Sequence, residues 1–335
     1  MKDIYILSVE TTCDETSLAI VKNGKQVVTD VILTQMETHS HYGGVVPEIA
    51  SRMHADNITF VLEELMNKST IPLERIDAVA VAYAPGLMGA LLVGIEFAKV
   101  LSYVLNKPLI KVNHLIGHIY ASKFKKDFSY PTLCLVVSGG HTELLSMIDD
   151  YEFKMLGKTL DDAIGETYDK VARVLGVPYP GGPGIENLAL DGKDVYNFPV
   201  PNLKEEIDFS FSGLKSSVIN LVNMKNMKNE ELDKENIAAS FQIAAIKQIL
   251  SRVESVLEKG NHKNLIIAGG VSANNYLRSK IIELCSKYNV ECIVPDFKYS
   301  TDNAAMIGAA AYPLYLKKEF TTLALNGVSH IDIAK

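Results

Sequence analysis

Leu133-Cys-Leu-Val-Val-Ser-Gly-Gly-His-Thr-Glu-Leu-Leu-Ser146 is the stretch that decides the fold. Cys134 to Val137 is a short apolar β-rich run, Gly139-Gly140 permits a turn with positive φ, and Thr142 to Met147 resumes strand character. The backbone N–H groups around two glycines can approach an anion closely, and the hydroxyls of Ser138 and Thr142 can add donors. An ordinary tight hairpin satisfies the same pattern. What gives the stretch weight is that the chain builds this unit twice.

Working outward, Ile4 to Val9 reads as a strand, Glu10-Thr-Thr-Cys-Asp-Glu-Thr16 as a polar turn and Ser17 to Val21 as a returning strand. A loop dense in polar groups and glycine, Thr38 to Pro47, precedes a helix that Pro47 opens and that runs to Met66. Ile76 to Ala82 is a strand, Ala84 to Gly89 a turn and Ala90 to Leu105 a helix. The second half repeats the order: hairpin at Leu133 to Met147, helix at Asn236 to Glu258, strand at Asn264 to Ala268, Gly269-Gly270 turn, helix at Asn274 to Tyr288. The duplication predicts an α/β protein of two related lobes with a ligand cleft between them, where the polar turns at Thr11 to Thr16 and Ser138 to Thr142 face each other. The first lobe is expected over residues 1–112 and the second over 113–302. A C-terminal helix at 303–335 is expected to pack back on the first lobe.

The second copy carries an insertion from about Lys158 to Leu232. It holds a helix at Leu160 to Leu175, then Pro178-Tyr-Pro-Gly-Gly-Pro-Gly184 and Asp208-Phe-Ser-Phe-Ser-Gly213. Such glycine- and proline-shaped loops either carry functional residues or decorate a surface.

Composition narrows the class. The 335 residues are 47% hydrophobic and 22% charged, a globular chain of about two domains. A net charge of −7 and a pI near 5.7 argue against a free-standing nucleic-acid binder held by a broad basic face. Cys13, Cys134, Cys285 and Cys292 form no CxxC spacing, so neither a disulfide framework nor a cysteine zinc site is indicated, and a reducing cytoplasmic setting is expected. The N-terminus acquires charge too early for a signal peptide. Leu87 to Leu105 contains Glu96, Lys99 and two glycines, so it reads as a buried helix rather than a membrane span.

Asn113-His-Leu-Ile-Gly-His118 places His114 and His118 four apart, on one face if Leu115 to Ser122 is helical. Two imidazoles at that spacing make half of a metal site, and Asp302 is the best candidate for a third ligand. His–His–carboxylate with open positions suits Fe(II) or Zn. Asp302 has a second reading, as the N-cap of the Ala-rich helix that follows it. A zincin would need His-Glu-x-x-His, but the intervening residues are Leu115, Ile116 and Gly117. Neither a Gly-x-Ser-x-Gly elbow nor a P-loop is present.

Together, His39-x-x-Tyr-Gly-Gly-Val-Val-Pro-Glu-x-Ala-Ser-Arg-x-His54, Asn113-His-x-x-Gly-His118, Val137-Ser-Gly-Gly-His-Thr142, Tyr179-Pro-Gly-Gly-Pro183, Phe209-Ser-Phe-Ser-Gly-Leu-Lys215, Gly269-Gly-Val-Ser-Ala-Asn274 and Thr301-Asp-Asn303 resemble the tRNA N6-adenosine threonylcarbamoyltransferase family. Its older name is O-sialoglycoprotein endopeptidase. The resemblance spans nearly the whole chain and implies the duplicated fold of actin, heat-shock chaperones and sugar kinases. It also implies transfer of a threonylcarbamoyl group from threonylcarbamoyl-adenylate to N6 of adenosine 37, in tRNAs reading codons that begin with A. By position, it implies His114, His118 and Asp302 as ligands of one divalent transition metal, Fe(II) ahead of Zn. It implies Val137, Ser138, Gly139, Gly140 and His141 as the loop holding the adenine-nucleotide donor, with Asp169, Gly182, Glu186 and Asn274 as further contacts. Many members have Glu where this chain has Ile116. Implied partners are tRNA, a paralogous subunit of the same fold, a small ATPase and an enzyme that makes the donor; no membrane is expected. Two other functions fit such a cleft: an ATP-dependent small-molecule kinase, which leaves the histidine pair unexplained, and a non-catalytic scaffold subunit without metal.

Overall fold

A computed structural model describes residues 2–201 and 207–334. The chain divides into two compact units, Met1–Asp127 with Pro295–Lys335, and Phe128–Val294.

In the first unit, strands β1 (Tyr5–Glu10), β2 (Glu15–Lys22) and β3 (Gln26–Thr34) form an antiparallel meander. Helices α1 (Met36–Ser40) and α2 (Pro47–Lys68), strand β4 (Ala78–Ala84), helix α3 (Met88–Leu105), strand β5 (Leu109–Asn113) and helix α4 (His114–Tyr120) follow. The sheet order is β3-β2-β1-β4-β5, with β4 parallel to both β1 and β5. Because successive strand residues point to opposite faces, Leu7, Val9, Leu18 and Ile20 enter one core with Ile58 and Leu65 of α2 and Leu91 and Ile95 of α3. The alternate residues Ala19 and Val21 pack with Ala304 and Ala305 of helix α10 (Ala304–Lys317). Gly308 is required there, since a Cβ would lie 2.6 Å from Val21 Cγ2.

The second unit repeats this plan: β6 (Thr132–Val137), β7 (Thr142–Asp149) and β8 (Glu152–Lys158) form the meander, and helix α8 (Lys234–Leu257), β9 (Asn264–Ala268), helix α9 (Asn275–Lys287) and β10 (Glu291–Ile293) complete it. Its order, β10-β9-β6-β7-β8, is the first sheet's order read from the other edge, with the same parallel and antiparallel pairs. The expected duplication is therefore present, each copy having one more strand in its meander than the hairpin pattern suggests. The insertion between β8 and α8 supplies helices α5 (Ile164–Val174), α6 (Gly181–Leu190) and α7 (Ser212–Met227).

Two expected boundaries move. The units part at 127/128 and 294/295, not at 112/113 and 302/303, because β5 pairs with β4 and α4 packs on α10. His114, His118 and Asp302 therefore all belong to the first unit. The C-terminal helix stops at Lys317, where Lys318 turns left-handed at φ 58°, and residues 318–334 are irregular chain tied to the unit by Thr321 N–H donating to Leu109 O at 2.8 Å. Helix α3 is long and apolar enough to cross a membrane, but Leu91, Ile95, Ala98 and Leu101 are buried in the unit's core and Lys99 pairs with Glu96 at 2.6 Å.

Candidate functional site

The histidine pair is placed by a cap and a glycine. Asn113 Oδ1 accepts the backbone N–H groups of Leu115 (2.9 Å) and Ile116 (3.2 Å), which starts α4 at His114 and puts His118 one turn on. Between them, Gly117 lets α10 approach: a Cβ there would lie 2.9 Å from Ile307 Cδ1. At the start of α10 the cap is Asn303, whose Oδ1 accepts Met306 N–H at 2.9 Å. Asp302 is thus not the cap, and its carboxylate is left to face the histidines.

One ligand atom from each of His114, His118 and Asp302 lies within 4.8 Å of the others. Asp302 Oδ1 is 3.1 Å from His118 Nε2 and 3.5 Å from His114 Nε2. Both histidines are buried, and Asp302 is 21% exposed at its side chain. Burial would lower the His114 pKa, but the carboxylates of Glu10 and Asp302 outweigh it and lift it to about 9. Burial pushes Asp302 up, and the His114 charge with the His118 hydrogen bond brings it down to about 2. The site thus favours positive charge. His118 Nδ1 is buried and has no hydrogen-bond partner among the described residues. Two imidazoles, one carboxylate and a field that favours a cation fit a divalent transition metal.

Behind the cluster stands a carboxylate that the sequence reading placed in a turn. Glu10 is the last residue of β1 and fully buried. Its Oε2 lies 2.9 Å from His114 Nδ1, and its Oε1 accepts Thr12 N–H at 2.6 Å. Thr12 Oγ1 is 3.1 Å from the same His114 nitrogen. The signal in the sequence was a charged residue ending an apolar strand, which can be buried only with a partner.

The second candidate site lies in the second unit. Ser138 N–H donates to His141 O (2.8 Å), and Ser138 Oγ accepts His141 N–H (3.1 Å). Neither Gly139 nor Gly140 has positive φ, contrary to expectation, because these two bonds close the turn without it. The left-handed glycine is Gly269 (φ 89°), where a Cβ would lie 2.5 Å from Val137 O. Among the described residues nothing accepts the N–H of Gly139 or Gly140, and the space beside both is open. The turn sits on the first turn of α5: Gly165 and Glu166 N–H donate to the carbonyls of Ser138 and Gly139, each at 3.2 Å.

The other predicted contacts join by direct bonds. Asp169 Oδ1 accepts Gly181 N–H at 2.8 Å, fixing the start of α6 beside Gly182. Glu186 Oε1 accepts Asn275 N–H at 2.6 Å, linking α6 to α9. Asn274 Oδ1 caps α9 through Leu277 N–H (2.8 Å), and its Nδ2 donates to Gln242 Oε1 (2.9 Å). Val137 is buried in β6, so it offers backbone only. Asp169, Glu186 and Asn274 each hold one element against the next, and Gln242 is a partner of Asn274 that sequence reading missed.

The fold and these groups define a duplicated α/β protein with a buried His–His–Asp cluster in one unit and an open Gly-Gly turn in the other. The family model described as tRNA N6-adenosine threonylcarbamoyltransferase (TsaD) matches residues 26–309, and the chain belongs to that family. Proteins of that name from Staphylococcus carnosus and Staphylococcus haemolyticus are 46% and 48% identical over 333 residues, 99% of this chain and 97% of theirs. Among solved structures, HypF from T. kodakarensis superposes with a TM-score of 0.64 at 15% identity, covering 95% of this chain and 49% of HypF. Component A of (R)-2-hydroxyglutaryl-CoA dehydratase from Acidaminococcus fermentans gives 0.54 at 15%, covering 92% and 98%. Both likenesses concern the fold alone.

Proposed function

We infer that this chain transfers the threonylcarbamoyl group of threonylcarbamoyl-AMP to N6 of adenosine 37 in tRNAs reading codons that begin with A, releasing AMP. The observation that carries this is the 46–48% identity, over almost the entire chain, to proteins named for tRNA N6-adenosine threonylcarbamoyl transfer. The donor is a mixed anhydride whose acyl carbon is already activated, so the protein's work is to hold the donor, orient the amine and stabilise charge.

The free N–H groups of Gly139 and Gly140, with the Ser138 hydroxyl, suit the donor phosphate, and in this reading Asp169, Gly182, Glu186 and Asn274 would contact the rest of the donor. His114, His118 and Asp302 would hold the metal, Fe(II) ahead of Zn(II) in this reading, which as a Lewis acid would supply stabilisation of developing negative charge. A target base in an anticodon loop is unstacked and reachable, as recognition of single-stranded RNA requires.

The partners in this proposal are tRNA, a paralogous subunit, a small ATPase and a donor-making enzyme, in the cytoplasm. A net charge of −7 supports borrowed basic surface for tRNA. The outer face of α3, with Val100, Tyr103 and Val104 60–76% exposed, supports an apolar subunit contact. The test is reconstitution with tRNA, donor and partners, read by mass spectrometry of the digested tRNA; an unmodified adenosine 37 would overturn the inference.

A further inference from the structure

We propose that Glu10 is the positioning residue that fixes the tautomer of His114. The proposal rests on the reading of His114, His118 and Asp302 as metal ligands. His114 can serve through Nε2, the nitrogen 3.5 Å from Asp302 Oδ1, only if its remaining proton sits on Nδ1. Glu10 Oε2 stands 2.9 Å from Nδ1, and an ionised carboxylate can only accept, so it holds that proton there. The carboxylate cannot swing away: it is fully buried, and its other oxygen is taken by Thr12 N–H at 2.6 Å. Thr12 is itself held, since its carbonyl accepts Leu87 N–H at 2.9 Å. The accepting carboxylate also makes the imidazole a better donor to a metal.

This arrangement makes an unusual forecast for the isosteric variant. In Glu10→Gln, Thr12 N–H still demands an acceptor, so the carboxamide oxygen turns to Thr12 and its NH2 faces His114 Nδ1. A donor there requires Nδ1 to accept, which moves the imidazole proton to Nε2, the nitrogen needed for the metal. In Glu10→Ala no donor is imposed, and Thr12 Oγ1, 3.1 Å from Nδ1, remains to accept. The conservative change should therefore be the more damaging one. A role confined to filling space predicts the reverse.

The experiment titrates metal-free full-length protein with Zn(II) alone by calorimetry. Glu10→Gln is expected to weaken binding by about 10- to 100-fold and Glu10→Ala by less. Binding by Glu10→Gln within twofold of wild type, or weaker binding by Glu10→Ala than by Glu10→Gln, overturns the proposal and leaves the three ligands standing. Wild-type protein that takes up no Zn(II) overturns the ligand assignment and this proposal with it. As a check free of any variant, long-range proton–nitrogen correlation on the Zn(II)-loaded wild type should show His114 protonated at Nδ1; protonation at Nε2 refutes the role of Glu10.

Discussion

Asp161 grips Ser212 at both ends: its Oδ2 accepts the serine hydroxyl at 2.7 Å and its Oδ1 the backbone N–H at 3.2 Å. The same carboxylate accepts Ser210 Oγ–H (2.6 Å) and Phe211 N–H (2.8 Å), while its neighbour Asp162 pairs with Lys215. Phe209 and Phe211, the alternate residues, are fully buried in the second unit's core. The Phe-Ser-Phe-Ser-Gly-Leu-Lys run is thus a structural clasp: aromatics inward, hydroxyls and amides outward to one distant carboxylate that caps α7.

Removing that cap should loosen the start of α7. Asp161→Ala is expected to cost about 1–2 kcal/mol, the range of a lost helix cap, and to speed hydrogen exchange at the Phe211 and Ser212 amides. Partial burial pushes the Asp161 pKa up, but the bonds from Ser210, Ser212 and Phe211 outweigh it and hold the value below 3.8. A depressed folded-state pKa gives stability that is complete above the unfolded value and fades as pH falls through the folded one. The gap between wild type and variant should be constant near neutrality and narrow below pH 3.8. Identical exchange rates in the two proteins would refute the clasp.

The metal assignment makes a simple forecast. A variant carrying His114→Ala and His118→Ala loses two of three ligands and should copurify with no stoichiometric transition metal, whereas wild type should hold about one equivalent. Elemental analysis decides the matter; undiminished metal in the double variant places the site elsewhere.

Glycines near the Ser138–His141 turn should divide into two classes. At Gly140 the backbone has ordinary φ and a Cβ would meet nothing within 4 Å, so Gly140→Val should fold with near wild-type stability. It should nonetheless weaken adenylate binding, because the branched side chain occupies the space a phosphate needs. At Gly165 a Cβ would lie 2.6 Å from Ser138 O and 2.8 Å from Gly139 Cα, so Gly165→Ala should push the loop off α5 and cost about 1–3 kcal/mol as well as affinity. Calorimetry with a non-hydrolysable adenylate, beside thermal melts, separates the two. Full affinity in Gly140→Val moves the phosphate site away from this turn.

What the sequence made legible follows from how local each signal was. The i,i+4 histidines, the Gly-Gly turn and the repeated hairpin–helix–strand–helix order depend on short spacings, and the structure contains all three. The unit boundary did not follow from periodicity, because β5 and α4 are assigned to the first unit by β5–β4 pairing and α4–α10 packing across nearly two hundred residues. Asn303, not Asp302, caps α10, and two adjacent cap-forming residues cannot be told apart by type. Glu10 was hidden because its contact is long-range: a glutamate at a strand end reads as surface until its partner 104 residues away comes into contact.

The last prediction separates transfer from peptide hydrolysis and from phosphorylation. Hydrolysis at a His-x-x-x-His centre needs a carboxylate free to take a proton from water, and the residues between these histidines are Leu115, Ile116 and Gly117. Glu10, the carboxylate against His114, is buried and already engaged by His114 and Thr12 N–H. An activated carbamoyl donor makes no such demand, since an oriented amine and a polarised carbonyl suffice. The protein with its donor, its partner subunits and a tRNA whose anticodon ends in U should therefore yield threonylcarbamoyladenosine at position 37 by mass spectrometry. The same preparation should leave a glycoprotein uncut and a hexose unphosphorylated. Cleavage or phosphorylation by that preparation, with adenosine 37 untouched, would assign the His–His–Asp centre to a different reaction.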